Sequence, residues 1–221
     1  TDLQYLEEIT PEIKQAVVVG GGLIGIELAE MLHSRQIPVS LLIREGSYWS
    51  NALPPDESRM VSRHIKSHHI DLREHTELDT IHDDGQGAAG SITTKDGETI
   101  ECQFVGLTAG VSPNVSFLKS EESIELGRGI KVDNNLRTSV SNIYAIGDCA
   151  ELKTPREGRR GIEAIWYTGR MMGETVAYNI LGKAVDYDPG IWFNSPSSWT
   201  SNTKSTVKSP PTAVMVLPAF T

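Results

Sequence analysis

The chain has 221 residues, a formal net charge of -9 at pH 7, and a hydrophobic fraction of 38%. That apolar fraction supports a folded core and excludes a disordered chain. The acidic balance argues against nucleic acid as a partner, because phosphate groups would repel the protein. No apolar run reaches the ~20 residues of a membrane span, and the N-terminus lacks the pattern of a signal peptide. We therefore expect a cytoplasmic protein with no membrane span.

The first predicted element is a linker helix over residues 1–14, in which Leu3, Leu6 and Ile9 recur at near-helical spacing. A short apolar run, Val17 to Val19, follows and leads into a glycine-rich turn and an amphipathic helical pattern. A strand, a glycine turn and a helix in this order are typical of dinucleotide binding.

The glycines of this turn, Gly20, Gly22 and Gly25, satisfy the pattern G-x-G-x-x-G. We expect the first to allow a sharp turn, the second to let the backbone approach a pyrophosphate, and the third to let the helix pack closely on the strand. Leu23 and Ile24 complete the predicted nucleotide-binding set, since free N–H groups and the helix dipole attract an anion there. The alternative is a tight turn in another α/β protein, and the strand and helix around the turn favour binding.

A second strand over residues 39–43 ends at Arg44 and Glu45. An acidic residue about 20 positions after the glycines binds the ribose hydroxyls of NAD, whereas an arginine there favours the 2′-phosphate of NADP. Both residue types are present, so the choice between NADH and NADPH stays open. A third interpretation is that both residues are solvated charges at a strand end.

A helix is predicted from Pro54 to about His69, because acidic residues suit its first turn and apolar residues fall on one face. His64 and His68 on this helix are four positions apart, a spacing that can bind zinc. Neither a cysteine nor a clear third ligand accompanies them, so we expect a solvated helix face and no metal site.

The sequence over residues 70–102 predicts a β-meander, with turns at Asp-Gly and similar pairs. Residues 104–109 then return to the pattern of a buried strand, which ends at Gly110. Ligands bind at the carboxyl ends of core strands in open α/β sheets, so this loop is a second candidate for the same site.

Residues 143–150 predict another buried strand, ending in Gly147 and Asp148. An aspartate there can accept hydrogen bonds from sugar-like hydroxyls, and the glycine leaves room for close approach. An Asp-led turn or helix cap is an equal alternative on this pattern alone. A long helix over residues 162–181 is predicted to follow.

Together these segments resemble the pyridine nucleotide-disulfide oxidoreductase family of two-dinucleotide flavoproteins. The resemblance rests on residues 17–30, 109–114, 132–138 and 143–149, in family order, and covers about residues 1–194. It implies an α/β fold: a Rossmann-like doubly wound parallel sheet with an antiparallel β-meander, plus a partial FAD-domain segment. The implied chemistry is hydride transfer from NAD(P)H to FAD and then to an acceptor that the sequence does not identify.

Carried over to this chain, the resemblance assigns the three glycines to the NAD(P)H pyrophosphate. It places Glu27 facing the nicotinamide and Gly110 beside it, and gives Gly147 and Asp148 the ribityl or phosphate groups of FAD. Glu27 has another interpretation, since an acid is favoured in the first turn of a helix. A homodimer is possible.

The implied domains are an NAD(P)H-binding domain over residues 15–125 and the C-terminal segment of a split FAD domain over residues 126–194. The family's FAD domain normally begins with its own glycine motif ahead of the NAD(P)H domain, and this chain starts after that point. We therefore expect half an FAD site and an inactive chain on its own. The competing hypothesis is a non-catalytic dinucleotide-binding sensor or interaction module.

Residues 195–221 shift to a composition rich in Pro, Ser and Thr with little apolar periodicity. This predicts an irregular tail in place of the interface domain that follows in the family. One explanation is a shifted reading frame, because codons permitted for residues 197–208 can encode an alternating, strand-like sequence in another frame.

Overall fold

The computed structural model describes residues 2–190 and, beyond them, the backbone of five short strands. The helices are α1 (Asp2–Ile9), α2 (Leu23–Ser34), α3 (Pro55–Ser67) and α4 (Trp166–Ile180). The strands before residue 190 are β1 (Ala16–Val19), β2 (Val39–Leu42), β3 (Asp71–Arg73), β4 (Leu78–Asp83), β5 (Ala89–Thr94), β6 (Thr99–Glu101), β7 (Phe104–Leu107), β8 (Ile130–Val132) and β9 (Ala150–Leu152). Short 3-10 turns lie at Thr10–Glu12, Ser116–Leu118 and Gly147–Cys149. These elements form two compact units: the first unit ends at Gly110, and the second unit begins at Val111.

The first unit is built on a four-stranded parallel sheet in the order β3-β2-β1-β7. Ala16 of β1 pairs with Val39 of β2 on one side and with Phe104 of β7 on the other. The chain therefore adds β2 and β3 on one side of β1 and then adds β7 on the other side. In open α/β sheets the ligand crevice lies at the carboxyl ends of the strands at such a point, which here is the end of β1.

The side chains of β1 alternate between the two faces of this sheet. Val18 packs on the helical side in a core that includes Ile26 of α2 and Ile65 of α3. Val17 packs on the other side with Ile92 of the antiparallel sheet β4-β5-β6. Helices thus cover one face and the meander covers the other, and the predicted α/β fold of a parallel sheet with a meander is confirmed.

The strand predicted at residues 70–73 belongs to a different sheet from the one expected. β3 pairs in parallel with β2, with Ser40 opposite Asp71, and so extends the parallel sheet rather than the meander. The chain crosses from β2 through α3 and comes back beside β2, so β3 pairs with β2. A three-residue strand carries too little pattern to show which sheet it joins.

The second unit has a parallel pair of strands, in which Ile130 of β8 lies opposite Ala150 of β9. Met172 and Val176 of α4 pack with these strands in a separate core. The helix begins at Trp166, later than the predicted start at residue 162.

The prediction of a buried strand over residues 143–150 was wrong. Ile143 and Ile146 are 39% and 41% exposed, and the segment makes only an isolated bridge between Arg137 and Tyr144. Its β-branched residues do favour extended backbone, as at Ile146. A strand also needs a hydrogen-bonded neighbour, and pairing resumes only at Ala150 of β9.

The described backbone beyond residue 190 comprises β10 (Phe193–Asn194), β11 (Ser197–Ser198), β12 (Ser201–Asn202), β13 (Ser205–Val207) and β14 (Ala213–Met215). β13 pairs antiparallel with β10 and β14, and β11 pairs antiparallel with β12. The rest of the predicted irregular tail over residues 195–221 lies outside the described residues, so the frameshift stays a prediction. In the described part of the chain, every helix is too short or too polar to cross a membrane.

Candidate dinucleotide-binding site

The loop between β1 and α2 leaves no room for a side chain at two of its glycines. Gly20 has a φ of +124°, and a Cβ there would lie 2.6 Å from the carbonyl oxygen of Thr108. Gly25 lies against the Gly20 carbonyl, which a methyl group at position 25 would overlap. Only glycine adopts such backbone angles readily or allows such an approach. These contacts hold the start of α2 directly at the end of β1.

Gly22 lies in a different environment from the other two glycines. A Cβ at this position would meet nothing within 4 Å. Among the described residues, the backbone N–H groups of Gly22, Leu23 and Ile24 have no hydrogen-bond partner. Ile24 is 55% exposed, so this side of the loop is open. Unpartnered N–H groups beside this open space, at the start of a 12-residue helix, are suited to bind a phosphate.

Thr108, at the carboxyl end of β7, holds the loop from the side of the neighbouring strand. Its hydroxyl donates a hydrogen bond to the Val19 carbonyl at 2.9 Å and lies 3.3 Å from the Gly20 carbonyl oxygen. Its backbone N–H donates to Val19 as well, at 2.8 Å. Sequence reasoning missed Thr108, although this residue lies just before the predicted ligand loop at Gly110.

Gly110 continues this edge of the first unit. Its φ of +116° lies in the region that favours glycine, and a Cβ there would meet nothing within 4 Å. The residue is exposed. The structure therefore leaves open backbone where the resemblance places the border of the nicotinamide.

Arg44 and Glu45 follow β2 and differ in where their side chains lie. Arg44 is 76% exposed at its side chain and Glu45 only 28%, and the Nε of Arg44 donates to Glu45 at 3.0 Å. A carboxylate oxygen of Glu45 lies 3.9 Å from the position that a Cβ on Gly21 would occupy. The hydrogen bond to Glu45 and its charge raise the pKa of Arg44. The acidic group thus lies beside the glycine loop, and the basic group lies in solvent.

Glu27 is exposed on α2. The helix begins at Leu23, and its first turn contains no acidic residue, so the interpretation of Glu27 as a first-turn acid was wrong. Its charge instead acts on Tyr48: burial and the charge of Glu27 together raise the pKa of the Tyr48 hydroxyl. That hydroxyl donates to the Gly22 carbonyl at 3.0 Å, a contact that sequence reasoning also missed.

Gly147 and Asp148 lie in the second unit. Gly147 has a φ of +76°, and a Cβ there would meet nothing within 4 Å. Its N–H donates to the Met172 sulfur of α4 at 3.3 Å. Asp148, next to it, is exposed. An exposed carboxylate beside an open glycine fits the hydroxyl groups of a sugar alcohol such as the ribityl chain of a flavin.

The histidines of α3 pack against each other. The rings of His64 and His68 meet edge to face with centroids 4.3 Å apart, and burial, with the charge of His68, lowers the pKa of His64. Across the described residues, no cluster of three or more His, Cys, Asp or Glu side chains could hold a metal ion.

Comparison with known proteins connects these features to a family. A family model described as pyridine nucleotide-disulphide oxidoreductase matches residues 2–173. The chain belongs to the pyridine nucleotide-disulphide oxidoreductase family. Members of this family use NAD(P)H and FAD as cofactors. The resemblance drawn from the glycine loop and the later motifs is therefore confirmed.

Similar members of the family include proteins named for different activities. The nitric oxide reductase FlRd-NAD(+) reductase of Aliivibrio fischeri is 36% identical over 142 residues, which are 64% of this chain and 36% of that protein. The NAD(P)H coenzyme A polysulfide/persulfide reductase of Pyrococcus horikoshii is 28% identical over 190 residues, which are 85% of this chain and 41% of that protein. This chain thus spans less than half the length of either relative.

A solved structure shows the same fold. The ferredoxin reductase for the CYP199A2 system from Rhodopseudomonas palustris superimposes with a TM-score of 0.83 and 24% identity. The match covers 94% of this chain and 50% of that one. The match includes residues of both units of the described chain, and it shows their fold.

Proposed function

We propose that this chain carries the NAD(P)H-binding part, and some of the FAD-binding part, of a flavoprotein oxidoreductase. The observation that supports this most is the open space at Gly22 in front of the unpartnered N–H groups of Leu23 and Ile24. The pyrophosphate binds there, because the N–H groups and the helix dipole both favour an anion. No side chain is needed to neutralise it.

The proposed nucleotide is NADH rather than NADPH. Glu45, whose side chain lies beside the glycine loop, accepts hydrogen bonds from the adenosine ribose hydroxyls. A 2′-phosphate at this position would meet that carboxylate and be repelled. Arg44 does not offset the repulsion, because its charge is paired with Glu45 and lies in solvent.

The proposed role of the remaining site residues is to position the two cofactors. Glu27 faces the nicotinamide, and Gly110 leaves room beside it. In the second unit, Gly147 and Asp148 bind the ribityl or phosphate groups of FAD. When bound, FAD supplies the chemistry by accepting the hydride of the reduced nicotinamide and passing two electrons onward.

The relatives also suggest candidates for the electron acceptor. The names of the relatives above point to different acceptors: FlRd in one and a polysulfide or persulfide in another. The candidate acceptors are therefore FlRd and a polysulfide or persulfide. Membership of the family is compatible with either acceptor.

Titration of the purified chain with NADH by isothermal calorimetry tests the proposal. We expect binding, and we expect Gly22→Ala to raise Kd roughly tenfold or more, because its methyl group enters the phosphate space at a cost of about 1–3 kcal/mol. Gly173→Ala on α4 is the control, since a Cβ there makes only ordinary contact at 3.8 Å. Equal affinities for all three proteins would disprove the phosphate site.

A second measurement separates an enzyme from a sensor. A fragment that supplies the rest of an FAD domain is added, and NADH oxidation with an artificial acceptor is followed. The oxidoreductase proposal predicts turnover that depends on FAD. Tight NADH binding with no turnover would favour the non-catalytic module.

A further inference from the structure

A buried tyrosine outside the glycine motif connects α3 with the start of α2. Tyr48 is 2% exposed and belongs to the main core of the first unit. Its hydroxyl donates to the carbonyl of Gly22, the N-cap residue of α2, at 3.0 Å. The same carbonyl accepts the first hydrogen bond of the helix, from the Ile26 N–H at 3.3 Å.

The backbone of Tyr48 is itself held by two serines one turn apart on α3. The Tyr48 N–H donates to the hydroxyl of Ser62 at 2.8 Å, and the hydroxyl of Ser58 donates to the Tyr48 carbonyl at 2.7 Å. Ser58 and Ser62 are 0% and 4% exposed, so both hydrogen bonds are shielded from water. The ring of Tyr48 also stacks on Trp49, with centroids 5.4 Å apart. These contacts hold the backbone and the ring of Tyr48 in place, so the position of its hydroxyl beside Gly22 is fixed.

Because the peptide bond is planar, the hydrogen bond from Tyr48 to the Gly22 carbonyl also sets the direction of the next N–H group, that of Leu23. The carbonyl of Gly22 and the N–H of Leu23 belong to one trans peptide, so they point in opposite directions. When Tyr48 holds the carbonyl toward the core, the N–H of Leu23 is turned away from the core. That N–H has no partner among the described residues.

We propose that Tyr48 is a positioning residue for the dinucleotide: its hydroxyl fixes the Gly22–Leu23 peptide so that the Leu23 N–H faces the pyrophosphate. The inference rests on the proposed dinucleotide binding and extends it to α3, which supports Tyr48 through Ser58 and Ser62. A donor that is already oriented loses less entropy when the phosphate binds. Burial keeps the phenol protonated, and therefore a donor, over the physiological pH range.

The matched variants are Tyr48→Phe, which removes only the hydroxyl, and Tyr5→Phe, which removes a hydroxyl from a tyrosine 59% exposed. The first readout is amide hydrogen exchange without nucleotide. In Tyr48→Phe we expect the Ile26 amide to exchange roughly three- to tenfold faster, as loss of one hydrogen bond implies. The amide of Ile92, in the meander, keeps its rate. Equal rates at Ile26 in both variants, or a parallel rise at Ile92, would overturn the inference.

The second readout is the affinity for NADH and for ADP, which keeps the diphosphate but lacks the nicotinamide. Tyr48→Phe should raise both dissociation constants by the same factor, roughly three- to tenfold, and Tyr5→Phe should leave both unchanged. Unchanged affinities in Tyr48→Phe overturn the inference and leave the proposed function intact. Absence of NADH and ADP binding in the unsubstituted chain overturns both.

Discussion

Arg44 and Glu45 are neighbours in the sequence, but they present opposite charges to different surroundings. The carboxylate of Glu45 lies beside Gly21, whereas the guanidinium of Arg44 extends into solvent and pairs back onto Glu45. Exposed ion pairs contribute little, so Arg44 adds little to the stability of the fold. Its effect on a nucleotide is also weak, because its charge is already compensated.

Replacing Glu45 by Gln is expected to weaken NADH binding about tenfold, since the ribose hydroxyls lose a charged acceptor worth about 1.5 kcal/mol or more. Binding of NADPH should improve, because the repulsion of the 2′-phosphate disappears. Arg44→Gln is the control and should change either affinity less than about threefold. Calorimetric titration with both nucleotides measures the ratio of the dissociation constants for NADH and NADPH. A larger effect at Arg44 than at Glu45 would reverse the proposed preference.

The two strands of the second unit are joined by side-chain contacts as well as by their backbone pairing. Glu151 of β9 accepts a hydrogen bond from the Gly129 N–H at 2.8 Å and another from Lys131 of β8 at 2.7 Å. Burial by itself raises the pKa of Glu151, but these hydrogen bonds, together with the charge of Lys131, outweigh it and bring the pKa below its ordinary value. Glu151 therefore stabilises the β8–β9 pair in its ionised form.

This pKa shift gives the second unit a defined response to acid. A carboxyl whose pKa is lower in the folded state contributes stability above its unfolded pKa, ordinarily 4.5, and loses it as the pH falls through the folded value. Glu151→Gln should reduce the free energy of unfolding by about 1–3 kcal/mol at neutral pH and have a smaller effect in acid. Urea unfolding at several pH values measures the loss of stability at neutral pH and the smaller loss in acid.

Glu174→Gln on α4 is the control, because Glu174 pairs with Arg170 in solvent, with both side chains about 60% exposed. That substitution should change stability by less than about 1 kcal/mol. If Glu151→Gln and Glu174→Gln lowered stability equally at neutral pH, the partly buried contacts of Glu151 would contribute no more than an exposed ion pair.

The described chain is divided at Gly110 into two compact units with separate cores. The glycine loop, Glu45 and Thr108 all belong to the first unit. Ligand binding stabilises only the structure that binds it. The two units should therefore respond differently to nucleotide.

Saturating NADH is expected to protect the first unit from unfolding by about 2.7 kcal/mol when its concentration is 100 times Kd. Hydrogen exchange provides a probe in each unit: the buried amide of Val18 in the first and that of Val132 in the second. Exchange at Val18 should slow with NADH, while exchange at Val132 changes little. Slowing at Val132 alone would place the nucleotide in the second unit instead.

Features that depend on local spacing could be predicted from the amino-acid sequence. The glycine turn, the strand before it and the helix after it follow from a few adjacent positions, since the glycines recur at a fixed spacing between an apolar run and a helical pattern. The predicted α3 and the meander also follow from local periodicity and turn residues. The motifs in order were enough to indicate the family that the comparison with known proteins then showed.

Contacts between distant segments could not be predicted from the sequence and became known from the folded structure. Thr108 lies 89 positions from Val19, and Tyr48 lies 26 positions from Gly22, so no periodic pattern connects either pair. The same applies to strands: Ile143 to Ile146 have the residues of a strand but form only an isolated bridge, and β3 joins the sheet to which α3 returns it. Local propensity sets the backbone conformation that a segment favours, whereas its hydrogen-bond partners and its burial depend on which segments the fold brings beside it.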